Sequence, residues 1–135
     1  MTNPEELLIH ARSAAQRAHC PYSNFRVGAA VLCDDGSLVE GCNVENASYG
    51  LSICAERVAL TSALAQGKRP ISLAVSCIDA SDDEEDQAVN AALRMPCGAC
   101  RQVMLELLPS DAAIHIDGVG SRNLAALIPQ GFRLS

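Results

Sequence analysis

Pro96-Cys97-Gly98-Ala99-Cys100-Arg101-Gln102 decides how this chain is read, together with Cys54-Ala55-Glu56-Arg57 upstream of it. Cys54, Cys97 and Cys100 can hold a zinc ion at three corners of a tetrahedron. Structural zinc sites are closed by four protein ligands, whereas catalytic sites keep one position open for water. Glu56 follows the first ligand closely enough to move that water's protons. Cys97 and Cys100 share one face of a helical turn, so both can point at one metal. Helices predicted to start at Cys54 and at Cys97 put the thiols at positive dipole ends, where thiolates are favoured. Three thiolates on a divalent ion leave it electron-rich. Arg57 and Arg101, each directly after a ligand, are the cations placed to temper that charge by donating to sulfur.

A blander reading competes. A CxxC pair also serves structural zinc knuckles and redox dithiols, and Cys-Ala-Glu alone is a weak signal. A closed site would need a fourth ligand from Cys20, Cys33, Cys42, Cys77, His10, His19 or His115, and none of these sits at ligand spacing from its neighbours. Cys33, Cys42 and Cys77 read as strand-core residues. His10 and His19 read as surface groups on the first helix, and His115 as a structural residue on a strand.

Length and composition bound the remainder. A chain of 135 residues has the size of one domain, residues 1–135, with a core of its own. Apolar residues make up 49%, with no run long enough to cross a membrane. Met1 to Glu6 lacks the basic start and apolar stretch of a signal peptide. Seven scattered cysteines, an odd number, argue for reduced thiols and a cytoplasmic protein. A net charge of −6, with acids run together from Asp82 to Asp86, gives no footprint for polymeric nucleic acid. A small-molecule substrate is expected instead.

The apolar periodicity predicts a helix from Pro4 to His19, capped by Asn3, with Leu7, Leu8, Ala11, Ala14, Ala15 and Ala18 on one face. Phe25 to Cys33 and Leu38 to Cys42 read as a hairpin around Asp34-Asp35-Gly36. A helix follows from Cys54 to Gln66, then a strand from Ser72 to Ile78 whose apolar run suggests burial on both faces. A helix from Cys97 to Leu108, a strand from Ala112 to Ile116 and a short helix from Asn123 to Ile128 complete the chain. The fold class is α/β, a three-layer α/β/α sandwich with a mixed central sheet. Asp117 to Asn123 looks short for a fifth strand, which is expected to be reduced or missing.

The resemblance is now carried by many residues. Cys54-Ala55-Glu56 and Pro96-Cys97-Gly98-Ala99-Cys100 match the zinc deaminase pattern. Pro21 to Ala30, Gly41 to Tyr49 and Cys97 to Val103 resemble the small, tetrameric cytidine deaminases, in the same order over almost the whole chain. That resemblance implies zinc-dependent hydrolytic deamination of cytidine and 2′-deoxycytidine to uridine and 2′-deoxyuridine, with loss of ammonia, as a step of pyrimidine salvage. It implies one zinc per subunit and a homotetramer whose active sites are completed by neighbours. Glu56 matches the catalytic proton carrier. Asn43 and Glu45 match the residues that bind the ribose hydroxyl, and Ala55 lies between ligand and carboxylate among the substrate-binding residues. Phe25 matches the aromatic that packs on the pyrimidine, with ordinary core packing as the competing reading. Tyr49 and Phe132 resemble residues contributed across subunit interfaces.

Three departures stand out. Met95 precedes Pro96 where many relatives carry a small hydroxyl residue. Ser81 to Leu93 is a longer acidic stretch than the family shows, read as a disordered surface loop or else a lid, although Gln87 to Leu93 has the makings of a helical turn. The third is the short fifth-strand region. Two alternatives remain: a deaminase of another cytosine-bearing compound such as blasticidin S, and a non-catalytic zinc-stabilised module. Asn43-Val44-Glu45-Asn46 favours a ribose binder over the first. Glu56 and the missing fourth ligand argue against the second.

Overall fold

A computed structural model describes residues 2–134. Its first helix, α1, spans Pro4–Ala15, with Pro4 in the first turn and the Asn3 side chain accepting from the Glu6 N–H at 2.9 Å. The predicted run to His19 is cut short. His19 is drawn into backbone bonds with Asn43 and Glu45, at 3.0 and 2.8 Å, and helical dihedrals cannot continue through that pairing. Strands β1 (Val27–Cys33) and β2 (Leu38–Cys42) form the antiparallel hairpin expected from the sequence. Gly36 at its turn has φ +85°, a conformation that only glycine adopts without strain.

Helix α2 (Ala55–Ala65) leads to β3 (Pro70–Cys77), which pairs antiparallel with β1. The strand begins two residues before the expected Ser72. A register irregularity at Leu32/Cys33 lets Pro70 sit opposite Cys33, and a first strand position tolerates the missing N–H. After α3 (Gln87–Ala92) and α4 (Gly98–Leu107) come β4 (Ala113–Ile116), β5 (Gly120–Asn123) and α5 (Leu124–Leu127). The sheet order is β2-β1-β3-β4-β5, with β3 and β4 parallel and the other pairs antiparallel. The fifth strand is therefore present but short, its four residues all exposed. Asp117, Gly118 and Val119 turn the chain back, with Gly118 at φ +80° and Gly120 at φ +124°.

Alternation along the strands divides the core into two. Leu7 and Ala11 of α1 meet Ala30 and Ala74 on one face of the sheet. Ala29, Val31, Leu73 and Val75 meet Ala59, Leu60 and Met104 of α2 and α4 on the other. The resulting arrangement is the expected three-layer sandwich. Helices sit close to the strands because the facing residues are small: a Cβ added at Gly41 would lie 2.5 Å from the Ala59 backbone nitrogen.

The helical turn expected over Gln87 to Leu93 forms as α3, whereas Ser81 to Asp86 is an exposed run without helix or strand. Asp86 caps α3 by accepting from the Ala88 N–H at 2.8 Å, and Asn90 is 3% exposed. The buried Asn90 donates through Nδ2 to Glu84 O at 2.8 Å, which ties the acidic run to α3. Among the described residues no helix is long and apolar enough to cross a membrane.

Candidate metal centre and active site

The starts of α2 and α4 bring the three predicted ligands together. Cys54 and Cys97 are the N-cap residues of these helices, and Cys100 lies in the first turn of α4. Their sulfurs all lie within 4.8 Å of one another, Cys54 to Cys97 at 3.8 Å and Cys97 to Cys100 at 3.5 Å. No other group of three such side chains is assembled among the described residues. Arg57 donates to the Cys54 sulfur at 3.5 Å, as its position in the sequence predicted. Hydrogen bonds from Cys100 and then Arg57 hold the Cys54 thiol down, to about 5, although its partial burial opposes this. Donating to that thiolate, together with burial, pushes the Cys100 thiol up.

Arg101 does not do what its spacing suggested. Its Nε donates to Pro96 O and its Nη1 to Leu127 O, both at 2.8 Å. It braces the backbone before Cys97 and ties α4 to α5, rather than reaching sulfur. From within α4 its side chain has carbonyls in easier reach.

Glu56 is 4% exposed, and burial pushes its carboxyl up to about 7, with the Cys54 charge adding to the shift. It lines a cavity of about 200 Å³ together with Cys54, Cys97 and Ala55. Phe25, Val27 and Asn43 form one wall, Val75 and Cys77 another. A depression of about 510 Å³ lined by His19, Arg26 and Asp79 is larger but shallow and open, and no thiol cluster faces it. The smaller cavity is the one with chemistry.

The Asn43 side chain bridges Phe25 and Val27: its Oδ1 accepts from Val27 N and its Nδ2 donates to Phe25 O, each at 2.9 Å. One amide hydrogen remains for a ligand. Glu45 is not on the cavity wall. Its carboxylate accepts from the backbone N–H of Tyr22 and Ser23, at 3.1 Å each, and from Ser23 Oγ at 2.5 Å. The Ser23 hydroxyl is the main reason its carboxyl sits below the usual range. Tyr49 and Phe132 are also off the wall, 80% and 68% exposed.

Cys33 is buried in β1 as expected, but Cys42 and Cys77 are only half-buried, and Cys77 faces the cavity because β3 ends there. Burial pushes the Cys77 thiol up to about 12, which keeps it neutral beside Glu56. His10 and His19 are exposed, and buried His115 bonds Ser121 Oγ at 2.6 Å. Leu93, Arg94 and Met95 complete the wall. Met95 and the stretch ending at Leu93 stood out in the sequence only as departures from the family pattern, and nothing there marked Arg94.

Residues 1–115 match the family described as the cytidine and deoxycytidylate deaminase zinc-binding region. The chain is 44% identical over 110 residues to a cytidine deaminase of Halalkalibacterium halodurans, covering 82% of this chain and 76% of that protein. It is 43% identical over 125 residues to one of Mycobacterium tuberculosis, covering 93% and 86%. The solved cytidine deaminase from Burkholderia pseudomallei superposes with a TM-score of 0.81 at 41% identity, covering 98% of this chain and 100% of that one. That from Mycobacterium tuberculosis gives 0.80 at 38%, covering 99% and 100%.

Proposed function

This chain belongs to the cytidine and deoxycytidylate deaminase family, and we propose that it is a zinc-dependent cytidine deaminase. It hydrolyses the exocyclic amino group of cytidine and 2′-deoxycytidine, giving uridine or 2′-deoxyuridine and ammonia. One observation carries the reading: a buried carboxylate, Glu56, shares a single cavity with Cys54 and Cys97, two members of a cluster of three thiols completed by Cys100.

Soft sulfur donors suit zinc and disfavour hard oxygen-seeking cations. Cys54, Cys97 and Cys100 would hold one ion per subunit and leave a coordination position for water. Zinc bound there supplies the Lewis acidity that makes water nucleophilic near neutral pH. Arg57 and the two helix N-termini offset the charge of three thiolates. Glu56 takes a proton from the attacking water and delivers it to N3 of cytosine, which makes C4 electrophilic. It then carries the second proton of that water, from the new hydroxyl on C4, to the amino group; the C4–N bond breaks, ammonia leaves and C4 becomes a carbonyl. Burial keeps these transfers between Glu56 and the substrate, without exchange to bulk solvent.

The other residues bind and orient. Phe25 packs on the pyrimidine, the N–H at the start of α2 beside Ala55 donates to the base, and Asn43 offers its spare amide hydrogen to a ribose hydroxyl. Glu45 meets the sugar only where the ligand extends past Asn43 and out of the cavity. Tyr49 and Phe132 complete the sites of neighbouring subunits in a homotetramer. The exposed apolar side chains around Tyr49, namely Val44, Leu51 and Ile53, support that assignment, since an unpaired patch of this kind favours burial against another chain. The 1–135 chain acts as a single domain in the cytoplasm, in pyrimidine salvage, on a free nucleoside and not on polymeric nucleic acid.

The test is to follow the ultraviolet change from cytidine to uridine with purified zinc-loaded protein and a chelated control. 2′-Deoxycytidine and blasticidin S run in parallel. Turnover of the two nucleosides, abolished by chelation, is expected. Turnover of blasticidin S alone, or none at all with zinc fully bound, would refute the reading. Sedimentation of the same sample reads the assembly directly.

A further inference from the structure

Among the described residues Arg94 is the one cation on the wall of the Glu56 cavity, and its side chain is 11% exposed. Its contacts run away from the cavity into the acidic segment. Nη1 donates to Asn90 O at 2.7 Å, and Nη2 lies 3.1 Å from Asp82 Oδ1. The buried Asn90 in turn donates through Nδ2 to Glu84 O at 2.8 Å. The same guanidinium runs beside the β4–β5 turn, where a Cβ added at Gly118 would lie 3.2 Å from Arg94 Nε. One side chain thus joins the acidic run, α3 and the β4–β5 turn. Its chain neighbours Leu93 and Met95 are cavity wall, and Pro96-Cys97 follows at once.

We propose that Arg94 is a positioning residue for the deamination: it docks the segment from Ser81 to Met95 and so sets the wall against which the base lies. The proposal rests on the reading of this cavity as the cytidine site. Asp82 is 77% exposed, and an ion pair with so exposed a partner contributes little. The charge-assisted bond to the Asn90 carbonyl, four residues back, fixes the guanidinium within the segment, and its seat beside Gly118 in the β4–β5 turn does the docking. A lysine cannot replace the planar fork that reaches Asn90 and Asp82 together. Glu56 and the thiols belong to α2 and α4, so they keep their geometry when this wall loosens. The effect therefore falls on substrate binding before it falls on the chemical step.

The experiment compares zinc-loaded wild type with Arg94→Ala, Arg94→Lys and Asp82→Asn. Arg94→Ala is expected to raise KM for cytidine on the order of tenfold, with kcat within about threefold and zinc content unchanged. Arg94→Lys falls between Arg94→Ala and wild type, and Asp82→Asn shifts KM by less than about threefold. Amide hydrogen exchange without substrate gives a second readout: residues 81–95 exchange faster in Arg94→Ala, whereas α2 and α4 do not. A wild-type KM in both Arg94 variants, or a loss confined to kcat, overturns the proposal. So does unchanged exchange of the segment. Wild type that turns over no cytosine compound overturns the functional reading instead, and the exchange comparison still decides whether Arg94 docks the segment. Should Arg94→Ala fail to fold, Arg94→Lys decides by the same criteria.

Discussion

Replacing Gly41 by alanine tests how the closeness of a helix to a strand reaches the metal centre. The new Cβ would lie 2.5 Å from Ala59 N, 2.8 Å from Ala55 O and 3.0 Å from Ala59 Cα, all of them α2 backbone. Favourable contacts fall at about 3.5–4.0 Å, so α2 must back away by roughly 1 Å. Helix backbone cannot swing aside as a side-chain tip can, which puts the cost in the upper part of the roughly 1–3 kcal/mol range for overpacking. Alanine's smaller entropy in the unfolded chain offsets about 0.4–1 kcal/mol. A net loss of roughly 1–2.5 kcal/mol remains, a fall in Tm of roughly 4–10 °C for a chain of this size. Ala55 sits between Cys54 and Glu56, so the same retreat pulls Cys54 away from Cys97, now 3.8 Å off. Metal ligands tolerate errors of only about 0.2 Å. Zinc affinity should fall by about 10–100-fold, as it does when outer support of a ligand is lost. Thermal melts of metal-free and zinc-loaded protein, with competitive zinc titration, read both effects. Gly50→Ala is the control, since a Cβ there meets nothing within 4 Å. A Gly41→Ala protein that melts with wild type and holds zinc as tightly would refute the reasoning.

Other perturbations separate the parts of the site. Glu56→Gln should retain zinc and lose about 10²–10⁴-fold in turnover, read by metal analysis beside the ultraviolet assay; near-normal turnover would remove Glu56 from its role. Cys97→Ala should lose the metal, and stoichiometric zinc after dialysis would contradict the ligand assignment. Asp117 accepts from Arg12 Nε and Nη2 at 2.8 Å and from Ser76 Oγ at 2.7 Å, and Arg12 chiefly holds its carboxyl below the usual range. A depressed folded pKa gives stability that is fully present above the unfolded value of about 3.9 and is lost as pH falls through the folded one. The Arg12 side chain is 40% exposed, so water screens the pair, and Asp117→Asn should cost at most about 1 kcal/mol at pH 7 and progressively less in acid. Melts from pH 7 down to the acid limit would show a constant gap if this linkage were absent.

Much of the scaffold was legible because its signals are local. Asn3-Pro4 started α1 and Asp34-Asp35-Gly36 turned the hairpin. The end of α1 was not legible, since the pairing of His19 with Asn43 and Glu45 joins residues far apart in the chain. The helical turn of the acidic segment was legible, but its ties were not: the bonds of Asn90 to Glu84 O and of Arg94 to Asn90 O depend on how the folded chain brings them together.

The site divides along the same line. Three cysteines and a glutamate beside helix starts are a matter of residue type and spacing, and these determine what the centre can bind and which group moves protons. Which further side chains share the cavity is a matter of where strands end and how closely helices pack. That choice admitted Cys77, Leu93 and Arg94, left Glu45 outside, and turned Arg101 from the thiols to the Pro96 and Leu127 carbonyls. Donor chemistry is a property of the residue, whereas the direction a side chain takes is settled by the partners that the folded chain brings within reach.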